Sequence, residues 1–263
     1  MDVIRADLAR ELDTIELHIL ADLHIGDPHC DMARINDRIR HIRDTNNAYC
    51  LLVGDVCDNA TTTSVGDTYG QTLTPMQQIE TSVRLFEPIK DKILGINGGN
   101  HEFRSYKKEG INITQIMAAQ LGLSDKYTET GAVLFLRFGE LSKKESNGSG
   151  ESRRVCYTLY FTHGSGGGRK EGAKAIRLAD MASIVDTDIY VHAHSHLPMI
   201  LKQDFFRIDR RNNAAPAVTK LFVNSSATLR YGGYGQAQEY KPASRDCPVI
   251  YLDGHTHRAE ARL

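Results

Sequence analysis

Short apolar runs recur along the chain, and the segments between them have apolar residues at helical spacing. The runs predict strands at 15–21, 49–53, 92–97, 133–138, 155–161 and 189–194, with shorter ones at 199–201, 220–223 and 249–252. Helical spacing predicts helices that start near Met32, Thr74 and Ile113, and a further one that contains Leu178. Strands that alternate with helices in this way are typical of an α/β fold.

Polar side chains directly follow five of these predicted strands. They are Asp22 and His24, Asp55, Asn100 and His101, His163, and His194 and His196. Each group alone has an ordinary explanation as a turn, a helix cap, a loop or a buried histidine. Because open α/β sheets place their sites at the carboxyl ends of strands, the five groups together predict one metal site at an edge of the fold.

The last of these groups belongs to a run of alternating histidines, His192, His194 and His196. If the strand continues from Ile189 to His194, side chains two apart point the same way, about 7 Å from each other. Their imidazoles can then converge on one metal ion or on a pair of ions. Alternating histidines also occur on solvated strands, so this run supports the metal site only together with the other groups.

Two polar stretches are too long for simple connections. The Thr- and Gly-rich segment from Ala60 to Leu73 is a candidate substrate loop. The segment from Gly139 to Ser152 predicts a mobile hairpin loop between two strands.

Length and charge limit the class of protein. A chain of 263 residues with 41% hydrophobic content can bury a large core, and we expect one domain over residues 1–263. The net charge of −1 predicts no broad basic surface, so an anionic ligand must be met by local groups. Five scattered cysteines without zinc spacing predict reduced thiols. A charged N-terminal segment and the lack of a long apolar run predict a cytoplasmic protein with no membrane partner.

Five motifs between about residues 15 and 200 resemble those of the calcineurin-like metallophosphoesterase superfamily. They are Asp22-x-His24, Gly54-Asp55-x-x-Asp58, Gly99-Asn100-His101-Glu102, His163-Gly164 and Ala193-His194-x-His196. Over its whole length the chain also resembles metallophosphoesterases of bacteriophage and prophage genomes. The resemblance implies a single-domain, four-layer α/β/β/α sandwich with two metal ions at its edge.

The resemblance also implies a role for each motif residue. One ion would be held by Asp22, His24, Asp55 and His196, and the other by Asp55, Asn100, His163 and His194. Asp55 would therefore bridge two cations, which need a shared anion between them because they repel. Mixed nitrogen and oxygen ligands suit manganese, which we expect, with iron, zinc and nickel as alternatives.

The expected reaction is direct hydrolysis of a phosphoester by a metal-bound hydroxide. The motif places His101 to protonate the leaving oxygen, with Glu102 orienting its imidazole. We expect a phosphodiester of a nucleotide or nucleic acid as the substrate. The alternatives are a phosphomonoesterase acting on a small or protein substrate and, more remotely, a scaffold without catalytic activity.

Four residues outside these roles are candidate substrate contacts. Arg104 and Arg169 are placed to bind phosphoryl oxygens. Tyr231 and Tyr234 lie where aromatic residues alternate with cations, a composition suited to stacking on bases. The alternatives for these segments are a flexible connector around Arg169 and a Gly/Tyr turn that packs on a sheet. No motif indicates an oligomeric state.

Overall fold

The computed structural model describes residues 1–62, 64, 67–141, 153–166 and 168–263. The strands are β1 (Asp2–Asp7), β2 (Thr14–Leu20), β3 (Ala48–Val53), β4 (Ile93–Asn97), β5 (Tyr127–Thr128), β6 (Gly131–Phe138), β7 (Val155–Thr162), β8 (Ile189–His192), β9 (Met199–Phe206), β10 (Ala217–Asn224), β11 (Val249–Asp253) and β12 (Ala259–Arg262). The helices are α1 (Met32–Asp44), α2 (Pro75–Phe86), α3 (Phe103–Glu109), α4 (Ile113–Gln120), α5 (Glu171–Asp180) and α6 (Gly233–Ala237).

The strands form two six-stranded sheets. One has the order β1-β6-β7-β8-β10-β9 and the other β12-β11-β2-β3-β4-β5. In the second sheet β2, β3, β4 and β5 are parallel, with Leu17 opposite Tyr49. In the first sheet β7, β8 and β10 are parallel to one another. Parallel pairing brings the carboxyl ends of β2, β3 and β4 to the same edge, which is where the polar residues follow these strands.

Three apolar clusters separate four layers. The largest cluster lies between the sheets and contains Leu17 of β2 and Phe161 of β7. The second packs α1, α2 and α4 on the outer face of β2–β4, with Ile35 against that face. The third packs Leu178 of α5 on the outside of the other sheet. The order helix, sheet, sheet, helix confirms the predicted α/β/β/α sandwich.

The two long helices under the second sheet begin with side-chain caps, as the sequence predicts. The Thr74 hydroxyl accepts a hydrogen bond from the N–H of Gln77, and the Gln77 side chain accepts one from the N–H of Thr74 at 2.9 Å. Pro75 occupies the first helical position, where its missing N–H has no cost. Asp31 caps α1 by accepting from the N–H of Arg34. These caps fix where the chain re-enters the helical layer after each loop of the site.

Sequence patterns miss the elements with little apolar content. Strand β1 lies at a sheet edge with mostly exposed or half-buried residues, and β12 at the edge of the other sheet has no fully buried residue. Helix α3 buries none of its residues. The predicted strand 189–194 ends at His192, two residues early. Edge elements of this kind have one face in water, so apolar periodicity does not mark them.

The long loops fall partly outside the described residues. Strands β6 and β7 pair antiparallel, as a hairpin requires, while residues 142–152 of the predicted hairpin loop are outside the described part of the chain. In the candidate substrate loop, residues 63, 65 and 66 are outside it as well. Within the described ranges, no helix has the length and apolar character needed to cross a bilayer. One domain over residues 1–263 stays a prediction.

Candidate metal centre

The loops that follow the central strands are hydrogen-bonded to one another at one edge of the two sheets. The N–H of Asp22 donates to the carbonyl of Gly54 at 3.1 Å, and the N–H of His24 donates to the carbonyl of Asp55 at 3.0 Å. The first sheet joins this network through His194, whose N–H donates to the Asp22 carboxylate at 3.1 Å. The predicted residues from both sheets therefore surround one point.

The backbone at this edge adopts an unfavourable conformation at most of the predicted ligands. Among described residues other than glycine, nine have positive φ, and five of these are predicted ligands, namely Asp22, His24, Asp55, His194 and His196. Left-handed backbone is costly for such residues and concentrates at functional sites. Gly99 is required nearby, because a Cβ atom there would lie 2.1 Å from Oδ1 of Asp55. The folded chain therefore holds unfavourable backbone conformations at these residues, and their side chains point toward the centre.

Asp22, His24 and His196 form the first group of ligand atoms, all within 4.8 Å of one another. The Nδ1 atom of His24 is 3.0 Å from an oxygen of Asp58, so it carries the ring proton and donates it there. Its Nε2 atom is left with a lone pair, 3.3 Å from Nε2 of His196. Asp22 is fully buried, and its Oδ1 atom lies 3.2 Å from Nε2 of His196 without making a hydrogen bond.

Asp55, His163 and His194 form the second group, also within 4.8 Å of one another. The Nδ1 atom of His163 donates to the carbonyl of Val53 at 2.9 Å. Its Nε2 atom faces the Asp55 carboxylate at 3.2 Å and the side-chain oxygen of Asn100 at 3.1 Å. Burial opposes charging of His163, but the Asp55 carboxylate outweighs it and raises the pKa of His163 to about 10. Burial lowers the pKa of His194 to about 4.

Both groups have the donor set that a divalent metal needs. In each, an imidazole keeps its Nδ1 proton on a fixed acceptor and turns Nε2 toward the other ligand atoms. With no ion bound, the Nε2 atom of His163 carries a proton, as its raised pKa requires, and a metal ion would take the place of that proton. The buried, unbonded Oδ1 atom of Asp22 is a further acceptor without a donor. Nitrogen and carboxylate oxygen atoms arranged in this way fit transition-metal ions.

His101 lies beside the ligand groups. Its N–H donates to Oδ1 of Asp55 at 2.9 Å, and its ring nitrogen Nδ1 donates to the carbonyl of Asp58 at 2.7 Å. The other ring nitrogen, Nε2, accepts from Arg104 at 2.9 Å. Burial opposes the charged imidazole, while Asp55 and Asp58 favour it, and the result is a raised pKa for His101. Arg104, a predicted phosphate contact, is therefore next to the predicted acid.

Glu102 has a different position from the expected one. Its two carboxylate oxygens accept hydrogen bonds from the backbone N–H groups of Asp55, Cys57 and Gly99 at 2.9–3.1 Å. The expectation that it orients the His101 imidazole is wrong, because its oxygens are occupied by these three amides. Glu102 instead fixes the loop after β3 to the loop after β4.

Asp58 has the orienting role that sequence reasoning gave to Glu102. One of its oxygens lies 3.0 Å from Nδ1 of His24 and 3.2 Å from Nδ1 of His101. Its other oxygen accepts from Gln71 at 2.8 Å, which ties the candidate substrate loop to the site. Carboxylates behind metal-binding imidazoles fix their tautomer and orientation. The signal was available in the sequence, since Asp58 is the second carboxylate of the Gly54-Asp55-x-x-Asp58 motif.

A family model described as calcineurin-like phosphoesterase matches residues 23–198, which is more than half of the chain and includes His24 through His196. The chain belongs to the calcineurin-like phosphoesterase family. This family is metal-dependent, with two ions per site, and Asp22, His24 and His196 could hold one ion and Asp55, His163 and His194 the other. No curated protein matches the chain.

Solved structures of low sequence identity also match. A predicted phosphoesterase from Streptococcus pneumoniae is 12% identical, with 95% of this chain and 99% of that one covered and a TM-score of 0.38. Vacuolar Protein Sorting 29 from Cryptosporidium parvum is 15% identical, with 95% and 96% covered and a TM-score of 0.42. The nuclease MPE of Pseudomonas putida is 12% identical, with 94% and 87% covered and a TM-score of 0.36.

In this calcineurin-like phosphoesterase, the remaining predicted substrate residues form an exposed rim. Arg169 lies over the ring of Tyr240 at 5.1 Å, and the rings of Tyr234 and Tyr240 are 6.1 Å apart. The Tyr231 hydroxyl donates to the carbonyl of Tyr240 at 3.0 Å. The segment that carries these tyrosines begins beside the site, because the N–H of Thr228 donates to the carbonyl of Asp22. Arg169, Tyr231 and Tyr234 are thus brought together.

The structure brings His194 and His196 beside the other predicted ligands, but not through alternation along a strand. His192 ends β8 and turns away from the ligands, with its Nδ1 atom 2.8 Å from the side-chain oxygen of Asn224. His194 and His196 lie beyond the strand, in positive-φ positions. They therefore reach the centre through an irregular loop, and each belongs to a different ligand group.

Proposed function

We propose that this phosphoesterase is a dinuclear-metal phosphodiesterase that acts on a nucleotide or nucleic acid. The observation that carries the proposal is the pair of ligand groups, each of which gathers two imidazoles and one carboxylate within 4.8 Å of one another. The Nδ1 atom of His24 faces the Asp58 carboxylate and that of His163 faces the Val53 carbonyl, so both rings present Nε2 to their group. One cation in each group would be held by these nitrogen and oxygen atoms.

The proposed ligands follow the two groups. Asp22, His24 and His196 hold one ion and Asp55, Asn100, His163 and His194 hold the other, with Asp55 as the shared ligand. We expect manganese, with iron, zinc and nickel as alternatives. When bound, two such ions lower the pKa of a coordinated water and neutralise charge on the phosphoryl oxygens. The remaining steps belong to side chains of this chain.

His101 is the proposed general acid. Its Nδ1 proton is held by the Asp58 carbonyl, so the imidazole delivers a proton to the leaving oxygen from Nε2. Arg104 donates to that same Nε2 atom and must leave it before the proton transfer. We propose that Arg104 moves to a phosphoryl oxygen when substrate binds. Nε2 then takes up a proton from water, which the raised pKa of His101 favours, and gives that proton to the leaving oxygen.

The charge of the phosphoryl group favours a diester over a monoester. An alkoxide leaving group needs a proton in either ester, and His101, with its side chain 18% exposed, is reachable to supply it. A diester has a single negative charge, which needs less cationic binding than the dianion of a monoester. In the described part of the chain, Arg104 is the arginine that contacts His101, so it supplies the positive charge nearest to the proposed acid. Hydrolysis of a monoester remains the alternative.

The rim of Tyr231, Tyr234 and Arg169 is the proposed contact for the rest of the substrate. Tyr231 is 52% exposed and Tyr234 is 45% exposed, so their rings are open to a ligand. Exposed tyrosines beside an arginine stack on nucleobases and hold the adjoining phosphates. A nucleotide or nucleic acid has both chemical groups. Phage origin and a cytoplasmic location stay predictions.

A panel of metals and substrates tests the proposal. Metal-free protein is loaded with Mn, Ni, Zn or Mg and offered an aryl monoester, the matching diester, cyclic nucleotides, and single- and double-stranded DNA. The proposal predicts metal-dependent turnover that is faster for a diester or nucleic acid than for the monoester. Much faster hydrolysis of the aryl monoester would replace it with the phosphomonoesterase alternative, and inactivity with every metal would favour a scaffold.

A further inference from the structure

A second group of histidine and carboxylate side chains lies away from the phosphoesterase site. Glu16 and His18 alternate on β2 and face the helical layer, while Leu17 between them faces the other sheet. His41 reaches the same place from the last turn of α1. Strands rise about 3.3 Å per residue, so Glu16 lies roughly 20 Å along the chain direction from Asp22.

The three side chains have the spacing of a metal shell. One oxygen of Glu16 is 2.8 Å from Nε2 of His41 and 3.4 Å from Nε2 of His18, and the three ligand atoms lie within 4.8 Å of one another. Zinc bonds to nitrogen and oxygen are about 2.0–2.2 Å, which places tetrahedral ligands roughly 3.4 Å apart. Small movements of these side chains would therefore complete a three-ligand site.

His18 is poorly partnered for a buried side chain. It is 5% exposed, its Nδ1 atom makes no hydrogen bond, and its Nε2 contact with Glu16 is long for a hydrogen bond. The contact through Nε2 is the one that points into the group, and a metal ion bound there would replace it with a direct bond. The side chain of His41 is half exposed, which leaves the site open to solvent ions.

The charges around the group set the kind of ion. Burial and the nearby Arg38 guanidinium lower the pKa of His18 to about 4, so its imidazole is neutral and has a free lone pair at pH 7. Glu16 supplies the negative charge, and contacts with His41 and His18 keep its pKa low against the effect of burial. Two imidazoles and one carboxylate suit zinc or nickel rather than calcium or magnesium.

We propose that Glu16, His18 and His41 bind one zinc or nickel ion that links β2 to α1. This site is separate from the dinuclear centre, and its role is to hold the strand that ends at Asp22 against its covering helix. An ion here stabilises the folded chain because the unfolded chain does not hold the three ligands together. It takes no part in hydrolysis.

The test compares full-length wild-type protein with His41→Gln, which alters an exposed ligand. The matched control is His255→Gln. His255 is also 2.8 Å from a single carboxylate, Asp13, but among the described residues it belongs to no group of possible metal ligands. Each protein is dialysed against Zn²⁺ and its bound metal is counted by elemental analysis. The thermal midpoint is measured with and without Zn²⁺.

We expect His41→Gln to bind one equivalent less than wild type and His255→Gln to bind the same number. The zinc affinity of the site should fall by more than about 10-fold in His41→Gln, with turnover unchanged. Glu16→Gln should give the same loss. Equal metal counts and equal zinc-dependent midpoints in wild type and His41→Gln would overturn the site and leave Glu16 as a simple hydrogen-bond acceptor. The difference of one equivalent does not depend on the dinuclear centre, so the two proposals fail separately.

Discussion

His24 and His196, 172 residues apart in the sequence, bring their Nε2 atoms within 3.3 Å of each other. Because His24 keeps its proton on Nδ1 for Asp58, its Nε2 atom can only accept, either a proton of His196 or a metal ion. The two rings come from different sheets, so the contact depends on the sandwich as a whole. With Oδ1 of Asp22 3.2 Å from the same His196 nitrogen, the contact brings three potential metal ligands together.

Asp58 orients the His24 ring in that contact, because its carboxylate binds the opposite ring nitrogen, Nδ1. Asp58→Asn replaces an acceptor with an amide, so His24 and His101 lose the charge that fixes their ring protons. We expect the affinity for Mn²⁺ to fall by about 10–100-fold, measured by calorimetric titration of metal-free protein. Asp125→Asn is the surface control and should bind metal as wild type does. Unchanged affinity in Asp58→Asn would show that the ligands keep their orientation without it.

Glu102 is predicted to act on stability. In Glu102→Gln one amide N–H group is turned against a backbone N–H of Asp55, Cys57 or Gly99, where the carboxylate accepted all three. The free energy of unfolding should fall by about 1–3 kcal/mol, measured by urea denaturation. Glu109→Gln, at the end of α3, is the control. A Glu102→Gln protein as stable as wild type would contradict the role of this carboxylate.

His101 separates the chemistry from metal binding, because it is not among the proposed ligands. His101→Gln should keep both ions while kcat for an alkoxide leaving group falls by about 10²–10⁴-fold. Nitrophenolate leaves without a proton, so the same variant should hydrolyse a nitrophenyl diester with little loss. Rates on both substrates at saturating metal decide the question. An equal loss on both, or a loss of metal, would make His101 a ligand or a phosphate-positioning group.

The stability of the metal-free protein should fall with acidity, partly because of His18. Its pKa is about 4 when folded and near 6.5 when unfolded, so below pH 6.5 the unfolded chain binds a proton that the folded chain does not. Stability is therefore complete above that pH and declines as the pH falls toward 4, by about 1–3 kcal/mol from this residue. Urea denaturation of wild type and His18→Leu across this range measures it. Parallel curves for the two proteins would contradict the assignment.

Much of this site could be predicted because its residues follow apolar runs. Asp22, Asp55 and His163 each come one or two residues after a buried strand, and parallel pairing brings such positions to one edge. The partners of Glu102 could not be predicted in the same way. They are backbone amides of three residues on two loops. Every residue except proline has such an amide, so the sequence does not show which of them a side chain will bind.

The irregular parts of the fold were also beyond sequence patterns. His194 and His196 reach the centre through positive-φ positions after β8 has ended, whereas alternation along a strand predicts one common direction. The group of Glu16, His18 and His41 joins two elements whose relative rotation only the packed structure fixes. Apolar periodicity reports which face of an element is buried, and it does not report which polar groups meet across elements.

The bridging carboxylate gives the most direct test of the dinuclear site. Metal-free wild type is titrated with Mn²⁺ while hydrolysis of a nitrophenyl diester is followed, alongside Asp55→Asn and the exposed control Asp91→Asn. We predict that wild type and Asp91→Asn reach full activity only when two equivalents are bound, whereas Asp55→Asn binds less metal and is inactive. Two tightly bound equivalents in Asp55→Asn, or full wild-type activity without metal, would contradict the account.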